Sequence, residues 1–314
     1  MRSEELSVIM DDGKSLHLYR WSADKAPKGL VLVAHGMAEH AGRYARLAER
    51  LAERGYETWA PDHRGHGKTA AEGELGWLAE RDGFRRVVDD LKAVAERMRS
   101  ERPGIPLALV GHSWGSFLSQ GFISVYGGLI DACALSGSAT GADPMAAVGR
   151  ILAAAGAALK GAKTKAPLLD RMSFGSFNDA FKPNRTAFDW LSRDNDEVEK
   201  YIADPYCGFV CSWGFFKDLL AGLAWISRPE TKAAVRKDLP LYIFAGDRDP
   251  VGGAKGQVEL LAEGYRAAGI RDLLVKLYPG ARHETLNETN RDEVMAELAG
   301  WLESRLTTGP GAGV

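Results

Sequence analysis

The strongest constraint on the fold of this sequence is an alternation of short apolar runs with amphipathic helical segments. The run Leu30–Ala34 is apolar at every position, which is expected of a strand that is covered on both faces. The segment 44–52 instead repeats its apolar residues with a period of 3.6, and Gly55 follows as a helix C-cap. Further strands are predicted at 56–60, 107–110 and 132–135, and further helices at 84–101 and from residue 117 onward. This order predicts an α/β fold with a mostly parallel sheet and helices on both faces.

The alternation is preceded by a hairpin and interrupted once by a long helical segment. Two strand-like runs, 6–10 and 16–21, are joined by Asp11-Asp12-Gly13, and Asp-Gly between such runs predicts a tight turn. Residues 139–238 lack a clear apolar strand. The alternation then resumes with a strand at 241–246, a helix near 256–268, a strand at 273–278 and a last helix near 290–305. We therefore predict an α/β core formed by 1–138 and 239–314, with 139–238 as a helical cap over the sheet.

Composition excludes several classes of function. The 314 residues include 40 basic and 42 acidic side chains, a net charge of -2, without a long basic run. Nucleic-acid binding is therefore not expected. No stretch approaches the roughly 20 apolar residues of a membrane span, and the first residues lack the apolar core of a signal peptide. The three cysteines, Cys133, Cys207 and Cys211, do not form a disulfide framework. We expect a cytoplasmic protein, which could also contact a membrane peripherally through the cap.

The pentapeptide GHSWG at 111–115 lies where a predicted strand passes into a predicted helix. In that context Gly111 and Gly115 permit the sharp turn that exposes a serine nucleophile at the end of a strand. Ser113 is therefore the candidate nucleophile. A serine hydroxyl is unreactive by itself and needs a base within hydrogen-bond reach, which is most often a histidine.

The order of residues along the chain narrows the choice of base and acid. The sequence has seven histidines, and only His283 follows Ser113; in this kind of fold the expected order is nucleophile, acid, base. His283 lies in a loop between the last predicted strand and the last predicted helix. Asp249, after the strand 241–246, is the preferred acid, since a carboxylate there could orient the imidazole. Asp247 is the second choice for the acid, although its position favours a turn-capping role instead, and Asp143 is the third choice.

An acyl-transfer site also needs two backbone N–H donors for the oxyanion. Trp114, which follows the nucleophile, is expected to supply one. Met37, in the loop after the strand 30–34, is expected to supply the other. A metal site is not expected at the histidine-rich loop 62–67, because that loop lacks a cluster of four ligands.

Five segments together resemble one family of enzymes. They are HGMAEHAGRY at 35–44, APDHRGHGKT at 60–69, GHSWGS at 111–116, AGDRDPV at 245–251 and GARHETLNE at 280–288. They are similar to the α/β-hydrolase serine hydrolases of the monoglyceride lipase and lysophospholipase group, also described as serine-aminopeptidase-like. The resemblance implies an α/β-hydrolase fold with an eight-stranded, mostly parallel sheet and a helical cap. It also implies a triad of Ser113, Asp249 and His283, and no cofactor or metal.

The resemblance further implies contacts to the substrate. Gly36, Glu39 and Arg43 are expected near the polar end of the substrate site, although Glu39 and Arg43 could instead form a structural ion pair behind the oxyanion loop. Two positions depart from the family. Ser116 replaces a common second glycine, and Leu286 stands where monoglyceride lipases often have a histidine, which puts monoacylglycerol as the substrate in question.

The predicted cap is rich in aromatic residues. Trp213, Phe215, Phe216 and Trp225 lie in one apolar segment, 210–226. They could pack the cap on the sheet, or they could line an apolar pocket or touch a lipid surface. We select Trp213 and Phe216 as candidate substrate contacts.

These features together predict a serine carboxylic-ester hydrolase that acts on monoacyl lipids or medium-chain esters through an acyl-enzyme. The expected partner is thus a small ester or lipid molecule; the oligomeric state is not predicted. An amide-cleaving hydrolase could use the same triad, and a non-catalytic ligand-binding protein could use the same scaffold. Epoxide hydrolases and dehalogenases of this fold carry aspartate at the turn, where this chain has Ser113.

Overall fold

The computed structural model describes residues 1–23, 25–141 and 146–306. Its centre is one eight-stranded sheet in the order β1-β2-β4-β3-β5-β6-β7-β8. The strands are β1 Arg2–Ile9, β2 Ser15–Ser22, β3 Gly29–Ala34, β4 Tyr56–Pro61, β5 Leu107–His112, β6 Ala132–Ser136, β7 Leu241–Gly246 and β8 Leu273–Tyr278. Strands β3 to β8 pair in parallel, whereas β1 pairs with β2, and β2 with β4, in antiparallel fashion. The predicted mostly parallel sheet is confirmed.

Ten α-helices accompany the sheet within the described residues. They are α1 Ala45–Glu53, α2 Gly83–Glu101, α3 Trp114–Tyr126, α4 Ala146–Lys160, α5 Pro167–Phe174, α6 Asn195–Ala203, α7 Trp213–Ile226, α8 Pro229–Ala233, α9 Gln257–Ala267 and α10 Arg291–Arg305. Helices α2, α3 and α9 contribute to one apolar core, and α1 and α10 contribute to the other. The sheet therefore has a helical layer on each face.

Strand β3 shows why the central strands are apolar throughout. Leu30, Leu32 and Ala34 belong to the core shared with α2 and α3, whereas Val31 and Val33 belong to the core shared with α1 and α10. All five side chains are buried. Because successive side chains of a strand point to opposite faces, both faces of the sheet need apolar residues here.

The predicted hairpin is present at the start of the sheet. Ile9 pairs with Ser15 across β1 and β2, and Gly13 has φ +82° in the turn between them. Only glycine adopts that backbone region readily, which accounts for the Asp-Gly signal. In this way the sheet acquires its two antiparallel strands.

Helices α4 to α8 occupy the stretch between β6 and β7. Outside the eight strands, the described part of this stretch has one isolated β-bridge, between Lys165 and Ser212. Ser212 caps α7 by accepting a hydrogen bond from the Phe215 N–H at 3.1 Å. Gly222 of α7 leaves room for the Phe84 ring of α2, so α7 packs closely on the core. The helical character agrees with the expected cap, and the boundaries 139–238 remain a prediction.

The topology brings four loops to one edge of the sheet. The loops after β3, β5 and β7 carry Met37, Ser113 and Asp249, and the loop after β8 carries His283. These strands are parallel and, with β6, contiguous in the sheet, so their carboxyl ends meet along that edge, where ligands of open α/β sheets bind. Among the described helices, none combines the length and apolar character needed to cross a membrane.

Candidate active site

Ser113 lies on a strained turn between β5 and α3. Its φ of +52° and ψ of -121° place it in a region that non-glycine residues rarely adopt. The turn is held because the Ser113 N–H donates to the Ser136 carbonyl at 2.9 Å, and the Ser113 carbonyl accepts from the Ser116 N–H at 2.8 Å. Strain of this kind persists only where the surroundings impose it, and it is often found at functional sites.

The two glycines of the pentapeptide are required by close packing. A Cβ on Gly115 would collide with the carbonyl oxygen of Ala34, and a Cβ on Gly111 would collide with the hydroxyl of Ser119. The turn can therefore lie directly against the end of β3. That contact brings Ser113 next to Gly36, since a Cβ on Gly36 would be 3.3 Å from the Ser113 Cβ.

His283 and Asp249 form a buried pair. The His283 Nδ1 lies 2.9 Å from the Asp249 Oδ1, and their side chains are 2% and 0% exposed. Asp249 Oδ1 also accepts a hydrogen bond from the Val251 N–H at 2.8 Å. Burial lowers the pKa of His283, but the charge of Asp249 and its hydrogen bond outweigh burial and leave that pKa above its ordinary value. The pair thus favours an imidazole that accepts a proton readily.

The pairing with Asp249 leaves the Nε2 of His283 for a second partner. With Nδ1 donating to the carboxylate, Nε2 is the nitrogen that carries a lone pair. The ring is held on two sides, by Trp190 at a ring-centroid distance of 5.0 Å and by His112 at 4.9 Å. His283 and Ser113 line the same cavity. This arrangement suits a general base that acts on the Ser113 hydroxyl.

The alternative acids have different surroundings. Asp247 accepts a hydrogen bond from the Gly280 N–H at 2.7 Å and so joins the loop after β7 to the loop after β8. This is the turn-stabilising role that the sequence favours for Asp247. Asp143 lies outside the described residues.

The loop after β3 is oriented by His35. Its Nδ1 lies 2.8 Å from the Gly36 carbonyl oxygen, and its Nε2 accepts from the His63 N–H at 2.9 Å. Nδ1 is therefore the protonated nitrogen, and burial lowers the pKa of His35 to about 3, which keeps the ring neutral. Because the peptide unit is planar and trans, fixing the Gly36 carbonyl toward His35 turns the Met37 N–H the opposite way.

The second candidate donor is the first residue of α3. The N–H groups in the first turn of a helix have no partner within the helix, so the N–H of Trp114 is available beside the nucleophile. Within the described residues, neither this N–H nor that of Met37 donates to another protein group. Both donors also line a common cavity with Ser113. The geometry supplies the two donors that an oxyanion requires.

An ion network lies behind the oxyanion loop. Glu39 accepts from the Gly36 N–H at 2.5 Å and pairs with the Arg43 guanidinium at 2.6 Å. Arg43 also forms two 2.7 Å bonds to the Glu284 carboxylate, next to His283. Burial raises the pKa of both carboxyl groups, but the Arg43 charge together with the hydrogen bonds to these carboxylates and the nearby His112 keeps both pKa values below their ordinary range. The network joins the oxyanion loop to the loop of the candidate base.

The histidine-rich loop packs beneath this site. The rings of His63 and His66 lie 4.1 and 5.3 Å from that of His35, and His66 stacks on Trp114 at 5.1 Å. Burial lowers the pKa of His66 to about 3 and holds that of His63 well below its ordinary value. These neutral rings support the residues that carry the two oxyanion donors.

Two cavities meet at Ser113. One, of about 400 Å³, is lined by His283 and by several polar or charged groups. Those groups are Glu39, Asp170, Arg171, Asn178, Tyr201 and Glu284. The other, of about 540 Å³, has no charged side chain among the described residues that line it. Its apolar lining includes Phe117, Met172, Phe174, Phe216, Leu219, Leu220 and Leu223. Both volumes lie within the range of small-molecule sites.

The predicted substrate contacts separate into two groups. Gly36 and Glu39 line the polar cavity, and Phe216 lines the apolar one. Arg43 is turned to its two carboxylates, beside the polar cavity. Trp213, the first residue of α7, is buried against Gly156 of α4. It is not among the described residues that line either cavity.

Leu286, the residue that departs from the family, lies in the apolar core with Met295. It is not among the described residues that line the two cavities at Ser113. Its effect on substrate choice would have to pass through the neighbouring residues Glu284 and Arg43, with which it lines a small void.

Several residues of the site were not found from the sequence. Glu284 was missed although it follows His283 directly, because an acid beside a base has no recognisable spacing. His35 was treated only as part of a loop. Trp190, which covers the His283 ring, comes from the stretch between β6 and β7 and is distant in the chain. Only the folded chain brings these side chains together.

Comparison with known proteins gives a consistent result. The family model described as serine aminopeptidase, S33, matches residues 25–290. A monoacylglycerol lipase of Mycolicibacterium smegmatis is 31% identical over 289 residues, which cover 91% of this chain and 92% of that protein. Human monoglyceride lipase is 28% identical over 308 residues, covering 96% and 91% of the two chains. A thermostable carboxyl esterase from Bacillus coagulans, solved in complex with glycerol, superimposes with a TM-score of 0.90 at 26% identity, covering 98% of this chain and 100% of that one.

Proposed function

The chain belongs to the serine aminopeptidase S33 family of α/β-hydrolases, and from this premise we propose that it is a serine carboxylic-ester hydrolase of monoacyl lipids. The observation that carries the proposal is the meeting of two unlike cavities at Ser113. An uncharged apolar cavity of about 540 Å³ suits an acyl chain, and a polar cavity of about 400 Å³ suits the alcohol or headgroup. The relatives named monoacylglycerol and monoglyceride lipase support the same substrate class.

The proposed reaction begins at Ser113. His283 Nε2 takes the proton of the Ser113 hydroxyl while the Oγ attacks the acyl carbonyl carbon. Asp249 holds the imidazole tautomer and stabilises the imidazolium that forms. The N–H groups of Met37 and Trp114 donate to the oxyanion of the tetrahedral intermediate.

The second half of the reaction releases the products. His283 gives its proton to the leaving alcohol, and the C–O bond of the ester breaks to leave an acyl group on Ser113. Water then attacks this acyl-enzyme while His283 takes its proton, the bond between the acyl carbon and the Ser113 Oγ breaks, His283 returns the proton to Oγ, and the fatty acid leaves. Because Trp190 and His112 pack against the His283 ring, the base keeps one orientation through both halves.

We assign Glu39 and Arg43 a positioning role in this proposal. Both lie in the buried network with Glu284, and Glu39 holds the Gly36 N–H. The network thereby fixes the distance between the oxyanion donors and the base. Asp170, Arg171 and Asn178 are better placed to meet a headgroup, since they line the polar cavity without belonging to that network.

The cap also offers a surface for contact with lipid aggregates. Ile151 and Leu159 of α4, and Leu168 and Met172 of α5, are at least half exposed. Isolated exposed apolar side chains are common, but these lie on two helices of the predicted cap, and Met172 also lines the apolar cavity. We propose that this face contacts a membrane or an emulsion peripherally and that a cytoplasmic protein uses it to reach its substrate.

Initial rates on a series of p-nitrophenyl esters of increasing acyl length test the proposal. The same assay includes a monoacylglycerol, a lysophospholipid and an amino-acid p-nitroanilide. The expected result is turnover of esters and of at least one monoacyl lipid by the wild type and not by Ser113→Ala. Faster cleavage of the anilide than of every ester would favour the amide-cleaving alternative. No turnover of any substrate by folded protein would favour the ligand-binding alternative.

A further inference from the structure

Three side chains of the types that bind metal ions lie close together beside the oxyanion loop. His40, Asp204 and Cys207 each offer one ligand atom, and these three atoms lie within 4.8 Å of one another. His40 Nε2 is 3.0 Å from Asp204 Oδ2. No part of the proposed reaction uses these three side chains, which we call the His40 cluster.

We propose that the His40 cluster is a site for Zn²⁺, and that the bound ion slows ester hydrolysis. One imidazole, one carboxylate and one thiolate are the ligand types that zinc prefers, and three protein ligands leave the fourth position for water. Bonds of about 2.0–2.3 Å place tetrahedral ligand atoms roughly 3.5 Å apart. The longest separation in the cluster therefore needs to contract by up to about 1 Å to hold the ion, whereas the His40–Asp204 pair, at 3.0 Å, needs to open slightly.

The local backbone already presents two of the ligands. Asp204 Oδ1 accepts a hydrogen bond from the Tyr206 N–H at 2.8 Å, which leaves Oδ2 turned toward His40. The Cys207 N–H donates to the Asp204 carbonyl at 3.0 Å, so both residues belong to one turn. The His40 and Asp204 side chains are 14% and 29% exposed, which gives an ion a path from solvent.

The thiol must lose its proton when the ion binds. An unbound thiol is mostly protonated at neutral pH, because the ordinary pKa of cysteine is about 8.5. Binding forms the Zn–S bond and releases the thiol proton to solvent, and the affinity is therefore expected to increase with pH.

The cluster is joined directly to the oxyanion loop. The carbonyl of Ala38 accepts from the Gly208 N–H at 2.9 Å and from the Tyr201 hydroxyl at 2.9 Å. Ala38 has φ +52° and lies between Met37 and the cluster in the chain. Contraction around an ion would displace this segment and the Met37 N–H with it. Because small misplacement of a catalytic group costs up to about 10²-fold in rate, we expect turnover to fall at least tenfold. The effect on rate rests on the proposed function; the binding does not.

Cobalt(II) is a spectroscopic substitute for zinc and reports on the thiolate. Titration of the full chain with Co²⁺ is expected to give one bound ion and a thiolate-to-cobalt charge-transfer band in the near ultraviolet. The band should disappear in Cys207→Ser, weaken in Asp204→Asn and persist in Cys133→Ala, the matched control at a buried cysteine of β6. The same band in Ser113→Ala would show that binding does not depend on catalysis. A wild type without the band, or an unchanged band in Cys207→Ser, would overturn the site.

The rate effect is tested separately with Zn²⁺ and a soluble p-nitrophenyl ester. Zn²⁺ should lower kcat at least tenfold in the wild type and in Cys133→Ala, and the chelator EDTA should restore it. Cys207→Ser should keep its rate at the same Zn²⁺ concentration. Equal inhibition of Cys207→Ser would place the inhibitory ion elsewhere and would overturn the coupling to the oxyanion loop.

Discussion

At the scale of single residues, His283 is a buried imidazole whose pKa is raised mainly by one carboxylate, that of Asp249. Burial alone would lower its pKa, and Asp249 reverses that effect. The Nδ1 of the neighbouring His112 instead lies 3.3 Å from the Ser136 hydroxyl, and burial with the nearby His283 lowers the pKa of His112 to about 4. The two neighbouring histidines thus differ in pKa because His283 is hydrogen-bonded to a carboxylate, whereas His112 is hydrogen-bonded to a hydroxyl.

The first prediction concerns pH and the acid. In the wild type, kcat/KM should rise with pH as His283 loses its proton, with a midpoint above the ordinary value of about 6.5. Asp249→Asn removes the charge that raises this pKa, so the midpoint should move to lower pH. The same substitution should also lower kcat by a factor of roughly 10⁴. A pH series of kcat/KM measures both effects.

Asp247→Asn is the matched control for this experiment. Its carboxylate accepts from the Gly280 N–H, and an asparagine carbonyl can keep that bond, so we expect the midpoint to stay and kcat to change little. A larger loss in Asp247→Asn than in Asp249→Asn would show that the acid is assigned to the wrong residue.

The second prediction separates a positioning role of Arg43 from a substrate contact. Arg43→Ala leaves two buried carboxylates, Glu39 and Glu284, without their cation. Removal of one partner from a buried ion pair typically costs about 3–5 kcal/mol, so urea denaturation should show a loss of that size. Arg46→Ala breaks the ion pair of Arg46 with Glu197, in which the arginine side chain is 34% exposed. This control should lower the free energy of unfolding by less than about 1 kcal/mol. If Arg43→Ala keeps its stability and only raises KM, Arg43 contacts the substrate.

At the scale of elements, helix α7 connects the packing of the predicted cap with the shape of the apolar cavity. One side of the helix is fixed to the core through Gly222 and Phe84. Another side presents Phe216, Leu220 and Leu223 to the cavity. The same helix therefore packs on the core and forms part of the wall of the cavity that we propose for the acyl chain.

The third prediction follows from this lining. Leu220→Trp should fill part of the apolar cavity and shorten the preferred acyl chain. Loss of contact for about two methylene groups, at ~0.8 kcal/mol each, corresponds to a roughly tenfold decrease in kcat/KM on long p-nitrophenyl esters. Short esters should be hydrolysed at nearly the wild-type rate. Leu260→Trp, at a half-exposed position of α9, should leave the preference unchanged; an unchanged preference in Leu220→Trp would place the acyl chain elsewhere.

At the scale of the whole molecule, the exposed apolar side chains of α4 form a surface through which the protein could contact an insoluble substrate. Val148, Ile151 and Leu159 recur at a helical spacing on the exposed side of the helix, whereas Ala153 faces the core. A helix with this pattern can lie in a membrane interface.

The fourth prediction tests this surface. Ile151→Asp should lower binding to phosphatidylcholine vesicles about tenfold or more, since burying one such side chain contributes roughly 1.5–3 kcal/mol. Hydrolysis of a soluble short-chain ester should not change, because the residue lies outside both active-site cavities. Leu260→Asp is the control at an exposed apolar residue of α9. Sedimentation with vesicles measures the binding, and equal binding of the two variants would exclude this face of α4.

Much of the fold was predictable from the sequence because both faces of the sheet are buried. A central strand such as β7 then reads as an uninterrupted apolar run, LYIFAG, and the helix α1 reads as a 3.6-residue repeat ended at Gly55. The edge strand β8 was also found, although its burial is only partial. The predicted residues of the triad lie in the loops directly after such strands. Their location at one edge of the sheet could therefore be predicted from the order of the strands.

Contacts between distant segments were not predictable in the same way. The bonds of Arg43 to Glu284 join residues 241 positions apart, and no local pattern marks such a pair. The cover that Trp190 gives to His283 depends on how the helices between β6 and β7 fold over the sheet. For the same reason Trp213 and Phe216, three residues apart on one helix, could not be assigned separately to packing and to the cavity wall.

Covalent labelling of Ser113 tests the central claim most directly. A fluorophosphonate reacts with a serine only where a base and an oxyanion site activate it. Peptide mass mapping of the labelled wild type should find one adduct, on Ser113, and ester hydrolysis should decrease in proportion to labelling. Ser113→Ala should be folded, unlabelled and inactive. An adduct on another residue, or ester hydrolysis that persists in Ser113→Ala, would contradict the account.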